Sequence, residues 1–221
     1  MVHVKNIEQN FKTVIFDFDG TLADSMIYWQ KVIADYLSSF GIIADDNLIS
    51  FIKPIGIKNG SDYMIKIYGL DVTKEQMTHA LRSAMGELYK NVIPLKPFVF
   101  EYVSSLKSKG LNLSVATAIE REYVTIALQR TGLSKYIDYL VTIADVGVTK
   151  NSPQIFLNCV EHFNNTIQEC VVFEDSLLSC QVAKEAGFTV IGVNDKTNLA
   201  HEEETMKQIC DGFIGCFSEL L

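Results

Sequence analysis

The pattern of hydrophobic and polar positions changes character twice along the chain. The short apolar run Val14–Phe16 predicts a strand that is buried on both faces. Between residues 25 and 92, apolar residues instead recur at a spacing of three and four, which predicts helices alone. From Pro94 onward, short apolar runs alternate with helical patterns, which is typical of repeated strand–helix units.

The central block is predicted to contain four helices and no strand. They are expected at Tyr28–Phe40, which Gly41 ends, at Asn47–Lys53, which ends before Pro54, at Ser61–Tyr68, and from the N-cap candidate Thr73 to Tyr89. A helical block of about 70 residues is only marginally stable on its own. We therefore interpret residues 25–93 as an insertion that rests on the rest of the chain.

The remaining residues, 1–24 and 94–221, are expected to form one α/β core domain. Strands are predicted at Leu111–Ala116, Tyr139–Ile143, Cys170–Phe173, Thr189–Val193 and Gly212–Phe217, and helices at Phe98–Leu106, Glu120–Thr131, from Ser152 and Pro153 as N-cap and first residue, Leu177–Ala186 and Thr197–Cys210. Such repeats predict a parallel sheet covered by helices on both faces. Ligands of these sheets bind beyond the carboxyl ends of the strands.

Composition and charge narrow the class of protein. Hydrophobic residues make up 48% of the 221 positions and charged residues 21%, which is ordinary for a globular protein. The net charge of −8 disfavours nucleic acid and anionic membranes as partners. The five cysteines contain no C-x-x-C pair, which favours free thiols and a cytoplasmic location. We expect a monomer with a small-molecule ligand and no membrane segment.

The first predicted strand ends in two closely spaced carboxylates, Asp17 and Asp19. Residues i and i+2 of a strand point the same way, and Gly20 allows a sharp turn directly after them. Two carboxylates at ~4 Å repel by roughly 4 kcal/mol at an effective dielectric of 20, so such a pair needs a cation or a shared proton. An acidic turn after a core strand is the alternative interpretation.

Polar residues follow three further predicted strands. Thr117 and Ala118 follow the second, Lys150 the third, and Glu174 with Asp175 the fourth. Taken singly, they could be a strand-end hydroxyl, a solvated lysine and the cap of a helix. Their succession at four strand ends favours one shared site.

The string Val14-Ile15-Phe16-Asp17-Phe18-Asp19-Gly20-Thr21-Leu22 resembles the first motif of the haloacid dehalogenase-like hydrolase superfamily. The later residues resemble its other motifs, and Phe-Glu-Asp-Ser at 173–176 is the form common among relatives of β-phosphoglucomutase and phosphoglycolate phosphatase. The resemblance implies a Rossmann-like core with an all-helical C1 cap at residues 25–93. It also implies that Asp17 is the nucleophile, Asp19 the acid/base, and Thr117 and Lys150 catalytic partners.

The resemblance also implies ligands. Mg²⁺ is expected on the carboxylates of Asp17 and Asp175 and the backbone carbonyl of Asp19, with Glu174 behind them. The transferred phosphate is expected at Thr117, Lys150 and the backbone N–H groups of Phe18 and Ala118. Specificity is assigned to cap residues, which are Trp29, Lys53, Ile57, Lys58 and Asn59.

The expected function is a Mg²⁺-dependent phosphatase that acts on a small phosphorylated metabolite, such as a sugar phosphate, through an aspartyl-phosphate. The alternatives are a β-phosphoglucomutase-like phosphomutase and a non-catalytic phosphate-binding protein. Relatives with mutase activity carry a histidine where this chain has Trp29, so hydrolysis is favoured. Trp29 is expected to pack at the hinge or to stack on substrate. The hinges are expected at Ala23–Asp24 and Ile93–Pro94.

Overall fold

The computed structural model describes residues 7–45, 48–148 and 150–221. Within them, the strands form one parallel sheet in the order β3-β2-β1-β4-β5-β6. The strands are β1 Thr13–Phe16, β2 Asn112–Thr117, β3 Tyr139–Thr142, β4 Cys170–Glu174, β5 Thr189–Val193 and β6 Gly212–Ile214. The parallel α/β fold predicted from the sequence is therefore confirmed.

The helices are α1 Met26–Ser38, α2 Leu48–Tyr68, α3 Lys74–Asn91, α4 Val99–Ser108, α5 Arg121–Thr131, α6 Ile143–Val146, α7 Gln154–His162, α8 Leu177–Glu185 and α9 Ala200–Ile209. α4 covers one face of the sheet, and α7 and α8 cover the other. α1 to α3 contact one another, and α3 contacts α5. Val14 and Phe16 pack into the same hydrophobic cluster as α4, whereas Ile15 packs into the cluster that contains α7 and α8. This alternation explains why Val14, Ile15 and Phe16 are all apolar.

The register of the central strands decides where the site lies. Phe16, the last residue of β1, pairs with Val115 of β2 on one side and Phe173 of β4 on the other. The residues that follow these three strands therefore meet at one edge of the sheet.

The helices α1 to α3 follow β1 in the chain, and the segments before α1 and after α3 lie side by side. Ala23 forms an antiparallel bridge with Leu95, and Asp24 N–H donates to the carbonyl of Pro94 at 3.0 Å. Among the described residues, no helix is long and apolar enough to cross a bilayer.

The predicted boundary inside α2 was wrong. The helix was expected to end before Pro54, but it continues to Gly56, where the backbone breaks at φ 72° and ψ 159°. Only glycine adopts that conformation without strain, so the break lies at the glycine rather than the proline. The predicted start at Asn47 lies outside the described residues.

Several other boundaries differ because side chains bond to nearby backbone. A capping box between Thr142 and Asp145 starts α6, which was not predicted. Asp195 accepts from Thr197 N–H at 3.0 Å, and this turn delays α9 to Ala200.

The start of α7, near Ser152, and the end of β6, near Phe217, also differ from the predicted boundaries. α7 begins at Gln154 with Pro153, not Ser152, in the cap position. β6 ends at Ile214, because Glu219 accepts from Gly215 and Cys216 N–H and a 3-10 turn begins at Phe217.

Candidate active site

The ends of β1 and β4 are in close contact. Asp17 N–H donates to the carbonyl of Phe173 at 2.9 Å, which continues the pairing of the two strands. Gly20 has φ +75°, and a Cβ atom at this position would lie 2.1 Å from Asp175 Oδ2. The turn after β1 therefore requires glycine for its conformation and for the space that Asp175 occupies.

Three buried carboxylates form a cluster at this edge. Asp17, Glu174 and Asp175 each offer an oxygen, and these oxygens lie within 4.8 Å of one another. A donor set made only of carboxylate oxygens suits a hard divalent cation. Glu174 lies close to the two predicted metal ligands, and its place behind them stays a prediction.

Lys150 lies between two of these carboxylates. Its Nζ pairs with Asp17 and with Glu174 Oε2, the latter at 2.8 Å. Burial alone would lower the pKa of Lys150, but the two carboxylates outweigh burial and raise it above its usual range. Burial raises the pKa of both Asp17 and Glu174, against the attraction of Lys150. The site is thus an acidic cluster with an embedded ammonium.

The carboxylate of Asp19 turns toward the helical insertion. Its Oδ1 accepts from Ser25 Oγ and from the hydroxyl of Tyr89, both at 2.6 Å. Burial raises the pKa of Asp19 to about 7, even though these two hydrogen bonds favour the ionised form. A carboxyl group with this pKa can donate and accept a proton near neutral pH.

Lys53 of α2 reaches the same cluster from the insertion. Its Nζ pairs with Asp175 Oδ2 and donates to Asn198 Oδ1 at 2.7 Å. Burial lowers the pKa of Lys53, but Asp175 and Asp195 outweigh it and raise the pKa. The sequence placed this lysine among specificity residues, whereas in the structure it contacts a carboxylate of the core.

A cavity of about 350 Å³ connects these groups with the insertion. Its walls contain nearly all residues predicted for the site, which are Asp17, Asp19, Trp29, Lys53, Ile57, Lys58, Asn59, Thr117, Ala118, Lys150, Glu174 and Asp175. Phe18 is the exception, because its side chain is buried against Tyr89 and its backbone N–H donates to the Asp17 carboxylate. Thr117 is buried, and its Oγ1 accepts from Ile119 N–H at 3.3 Å.

Sequence reasoning missed several polar contacts of the site. Tyr89 was treated as part of the apolar face of a helix, but its hydroxyl joins Asp19 to Trp29, whose Nε1 donates to it at 3.0 Å. The insertion thus contacts Asp19 although the histidine of the mutases is absent. Ser25 was also missed, because the helix that follows it was predicted to begin at Tyr28, whereas it begins at Met26. Asn198, which donates to the Asp175 carbonyl at 2.8 Å, carried no signal in the sequence.

Comparison with known proteins agrees with this geometry. A family model for haloacid dehalogenase-like hydrolases matches residues 14–193. A phosphorylated carbohydrates phosphatase from Thermotoga maritima is 27% identical over 176 residues, which cover 80% of this chain and 82% of that protein.

Two solved structures have the same fold over nearly the whole chain. CbbY from Rhodobacter sphaeroides in complex with phosphate gives a TM-score of 0.79 at 21% identity and covers 95% of this chain and 96% of its own. β-Phosphoglucomutase from Clostridium difficile gives 0.78 at 18% identity, with coverages of 96% and 93%. At these identities the likeness concerns the fold alone.

Proposed function

Because the chain belongs to the haloacid dehalogenase-like hydrolases, we propose that it is a Mg²⁺-dependent phosphatase acting on a small phosphomonoester through an aspartyl-phosphate at Asp17. One observation carries the proposal. Asp17, paired with Lys150, and Asp19, with a pKa near 7, lie two residues apart and line the same cavity. This arrangement supports the role of nucleophile for Asp17 and of proton donor for Asp19.

The two aspartates have different roles in the reaction: Asp17 is the nucleophile, and Asp19 is the general acid and base. An Asp17 oxygen forms a bond to phosphorus while the bond from phosphorus to the ester oxygen breaks, and Asp19 gives its proton to that oxygen. Asp19 then takes a proton from water, which attacks the phosphorus of the aspartyl-phosphate. Phosphate leaves and the Asp17 carboxylate is restored.

Charge balance supports a divalent metal. The four carboxylates carry −4 when ionised and the two lysines, Lys53 and Lys150, carry +2, before a dianionic ester enters. Asp17, Asp175 and the backbone carbonyl of Asp19 would hold Mg²⁺, which neutralises charge on the phosphoryl oxygens. Lys53 has to release Asp175 Oδ2 for that oxygen to bind a cation.

The other predicted groups hold the transferred phosphate. Thr117 Oγ, the Lys150 ammonium and the N–H group of Ala118 are donors for its oxygens. The Phe18 N–H, which donates to the Asp17 carboxylate, would have to release that carboxylate to join them. Residues 25–93 act as a C1 cap over a core formed by 1–24 and 94–221. Closure of the cap about Ala23–Asp24 and Ile93–Pro94 excludes water, and the pairing of these two segments supports a hinge there.

Phosphate release from a panel of phosphorylated metabolites and p-nitrophenyl phosphate tests the proposal. We expect turnover with Mg²⁺, none in EDTA, and a loss of at least ~10³-fold in Asp17→Asn. The exposed Asp71 supplies the matched control, and Asp71→Asn should keep full activity. Full activity in EDTA or in Asp17→Asn would contradict the metal or the nucleophile.

A phosphomutase is the second candidate, because Tyr89 ties the cap to Asp19. Hydrolysis is favoured because Trp29 and Tyr89 offer donors that do not exchange protons near pH 7. ³¹P spectroscopy of β-glucose 1-phosphate with a trace of bisphosphate separates the two functions. Glucose 6-phosphate forming faster than free phosphate would favour the mutase.

A further inference from the structure

The helices α3 and α5 pack against each other beside the site, and their contacts follow both helices in order. Arg82 of α3 pairs with Glu120, directly before α5, at 2.6 Å. A Cβ atom at Gly86, one turn further along α3, would lie 2.5 Å from Cε1 of Tyr123, so the Tyr123 ring occupies the place of a side chain there. The rings of Tyr89 and Tyr123 stack with their centroids 6.2 Å apart and an interplanar angle of 13°. Tyr123 of α5 therefore contacts α3 at two positions one turn apart.

Arg130, near the end of α5, holds the end of α3. Its Nε donates to the carbonyl of Tyr89 at 3.0 Å, and its guanidinium also donates to the carbonyl of Ile93. The last carbonyls of a helix lack partners within the helix and carry the negative end of its dipole, so a guanidinium suits them. Tyr89 is thus held by α5 both through its ring and through its backbone.

The hydroxyl of Tyr89 in turn orients the proposed general acid. The Tyr89 side chain is fully buried, and its ring also contacts Phe18, which lies between the two aspartates. Oδ1 of Asp19 accepts from the Tyr89 hydroxyl and from Ser25 Oγ, both at 2.6 Å. Because two donors hold Oδ1, the proton of the protonated carboxyl is carried by Oδ2. The position of the Tyr89 hydroxyl therefore decides which oxygen of Asp19 can give a proton.

We propose that Tyr123 is a positioning residue for the reaction. Its ring holds Tyr89 in place, and the Tyr89 hydroxyl keeps Asp19 oriented so that the proton on Oδ2 passes to the ester oxygen as the bond from phosphorus to that oxygen breaks. This inference rests on the proposed function and adds to it a residue of α5 that acts only through Tyr89.

Two esters with different leaving groups test the inference with the Mg²⁺-loaded enzyme. Phenyl phosphate and p-nitrophenyl phosphate have nearly the same shape, but p-nitrophenolate depends less on a proton to leave. We expect Tyr123→Leu to raise the ratio of kcat/KM for p-nitrophenyl phosphate over phenyl phosphate at least about fivefold. Tyr123→Phe keeps the stacked ring and should keep the ratio of the wild type. A loss of structure alone would lower both values equally and leave the ratio unchanged.

A second variant displaces the same ring from the side of α3. Gly86→Ala places a methyl group against Tyr123, whereas alanine is a better helix former than glycine, so we expect this variant to fold and to raise the ratio as Tyr123→Leu does. Ser83 is exposed on the same helix, and Ser83→Ala is the matched control that should leave the ratio unchanged. Thermal melting checks the fold of each variant. A ratio unchanged in the folded Tyr123→Leu or Gly86→Ala variant would overturn the inference.

The indole of Trp29 gives a measurement that does not depend on turnover. Trp29 is the single tryptophan of the chain, and its Nε1 donates to the Tyr89 hydroxyl at 3.0 Å. We expect Tyr123→Leu and Gly86→Ala to speed the exchange of this indole proton with solvent at least about fivefold in ¹H–¹⁵N spectra. Tyr136→Leu is the control, because the Tyr136 ring contacts Phe100 instead of Tyr89.

The two readouts separate this inference from the proposed function. Faster indole exchange in the variants, with no ester hydrolysed by the wild type, would refute the phosphatase and still show that Tyr123 holds Tyr89. Hydrolysis by the wild type, with indole exchange and the ratio of kcat/KM both unchanged in the variants, would support the phosphatase and overturn the role of Tyr123.

Discussion

At the scale of single residues, Gly20 connects backbone conformation to the acidic cluster. Its positive φ is shared with Gly41, but only Gly20 has a neighbour where a side chain would begin, since nothing lies within 4 Å of a Cβ atom at Gly41. Substituting alanine at Gly41 therefore measures the free-energy cost of the positive φ alone. The same substitution at Gly20 adds the cost of displacing Asp175.

We predict that Gly20→Ala lowers the free energy of unfolding by roughly 1–3 kcal/mol more than Gly41→Ala does. Both variants bear the strain of alanine at positive φ, and only the first displaces Asp175 Oδ2. Denaturant titration measures both differences. Equal losses in the two variants would show that Asp175 moves away freely.

Burial raises the pKa of Asp19, and the hydrogen bond from Tyr89 lowers it. In the proposed mechanism Asp19 must be protonated to release the alcohol, so the rate of alcohol release should fall as pH rises through its pKa. The Tyr89 hydroxyl favours the ionised form of Asp19, so its removal raises the pKa of that carboxyl.

Tyr89→Phe should therefore shift the alkaline limb of the pH profile for alcohol release upward. Tyr36→Phe is the control. The Tyr36 ring, near the end of α1, contacts the exposed Phe40, so this variant should leave the alkaline limb in place. Rapid-quench rates between pH 5 and pH 9 record the profile. A limb that stays in place or moves downward in Tyr89→Phe would contradict this role.

At the scale of elements, α2 brings a cation from the insertion to the core carboxylates. Lys53 and a divalent metal are both attracted to Asp175, so each weakens the binding of the other. We expect Lys53→Met to tighten Mg²⁺ binding by about tenfold in titration calorimetry.

Lys66→Met, on the exposed side of the same helix, should leave Mg²⁺ binding unchanged, because its partner is Asp62 at the surface. Weaker Mg²⁺ binding in Lys53→Met would mean that the lysine organises the metal site rather than competing with the metal.

The same elements show what the sequence could predict. Asp17, Thr117, Lys150 and Asp175 were predictable because parallel strands end at one edge, so residues far apart in sequence converge there. Tyr89 was not, because its helical spacing is equally that of a packed core residue. The break of α2 was assigned to Pro54, but it lies at Gly56, because glycine adopts this positive φ without strain.

At the scale of the whole molecule, residues of α1 to α3 and residues at the edge of the sheet line one cavity, and two adjacent segments connect these parts of the chain. If residues 25–93 act as the proposed cap, closure has to be reversible for substrate to enter and product to leave. We predict that structures with and without Mg²⁺ and a phosphate analogue differ by rotation of residues 25–93 about Ala23–Asp24 and Ile93–Pro94. Crystal structures of both states measure the rotation, and identical packing of the cap in both would contradict gating.

The central claim is that Asp17 becomes covalently phosphorylated during turnover. Rapid acid quench followed by peptide mass spectrometry tests it most directly, because it identifies the residue that carries the phosphoryl group. The account predicts a phosphoryl adduct on the peptide containing Asp17 that forms with substrate and Mg²⁺ and is absent from Asp17→Asn. Turnover with no adduct on Asp17, or an adduct on another residue of the cluster, would contradict it.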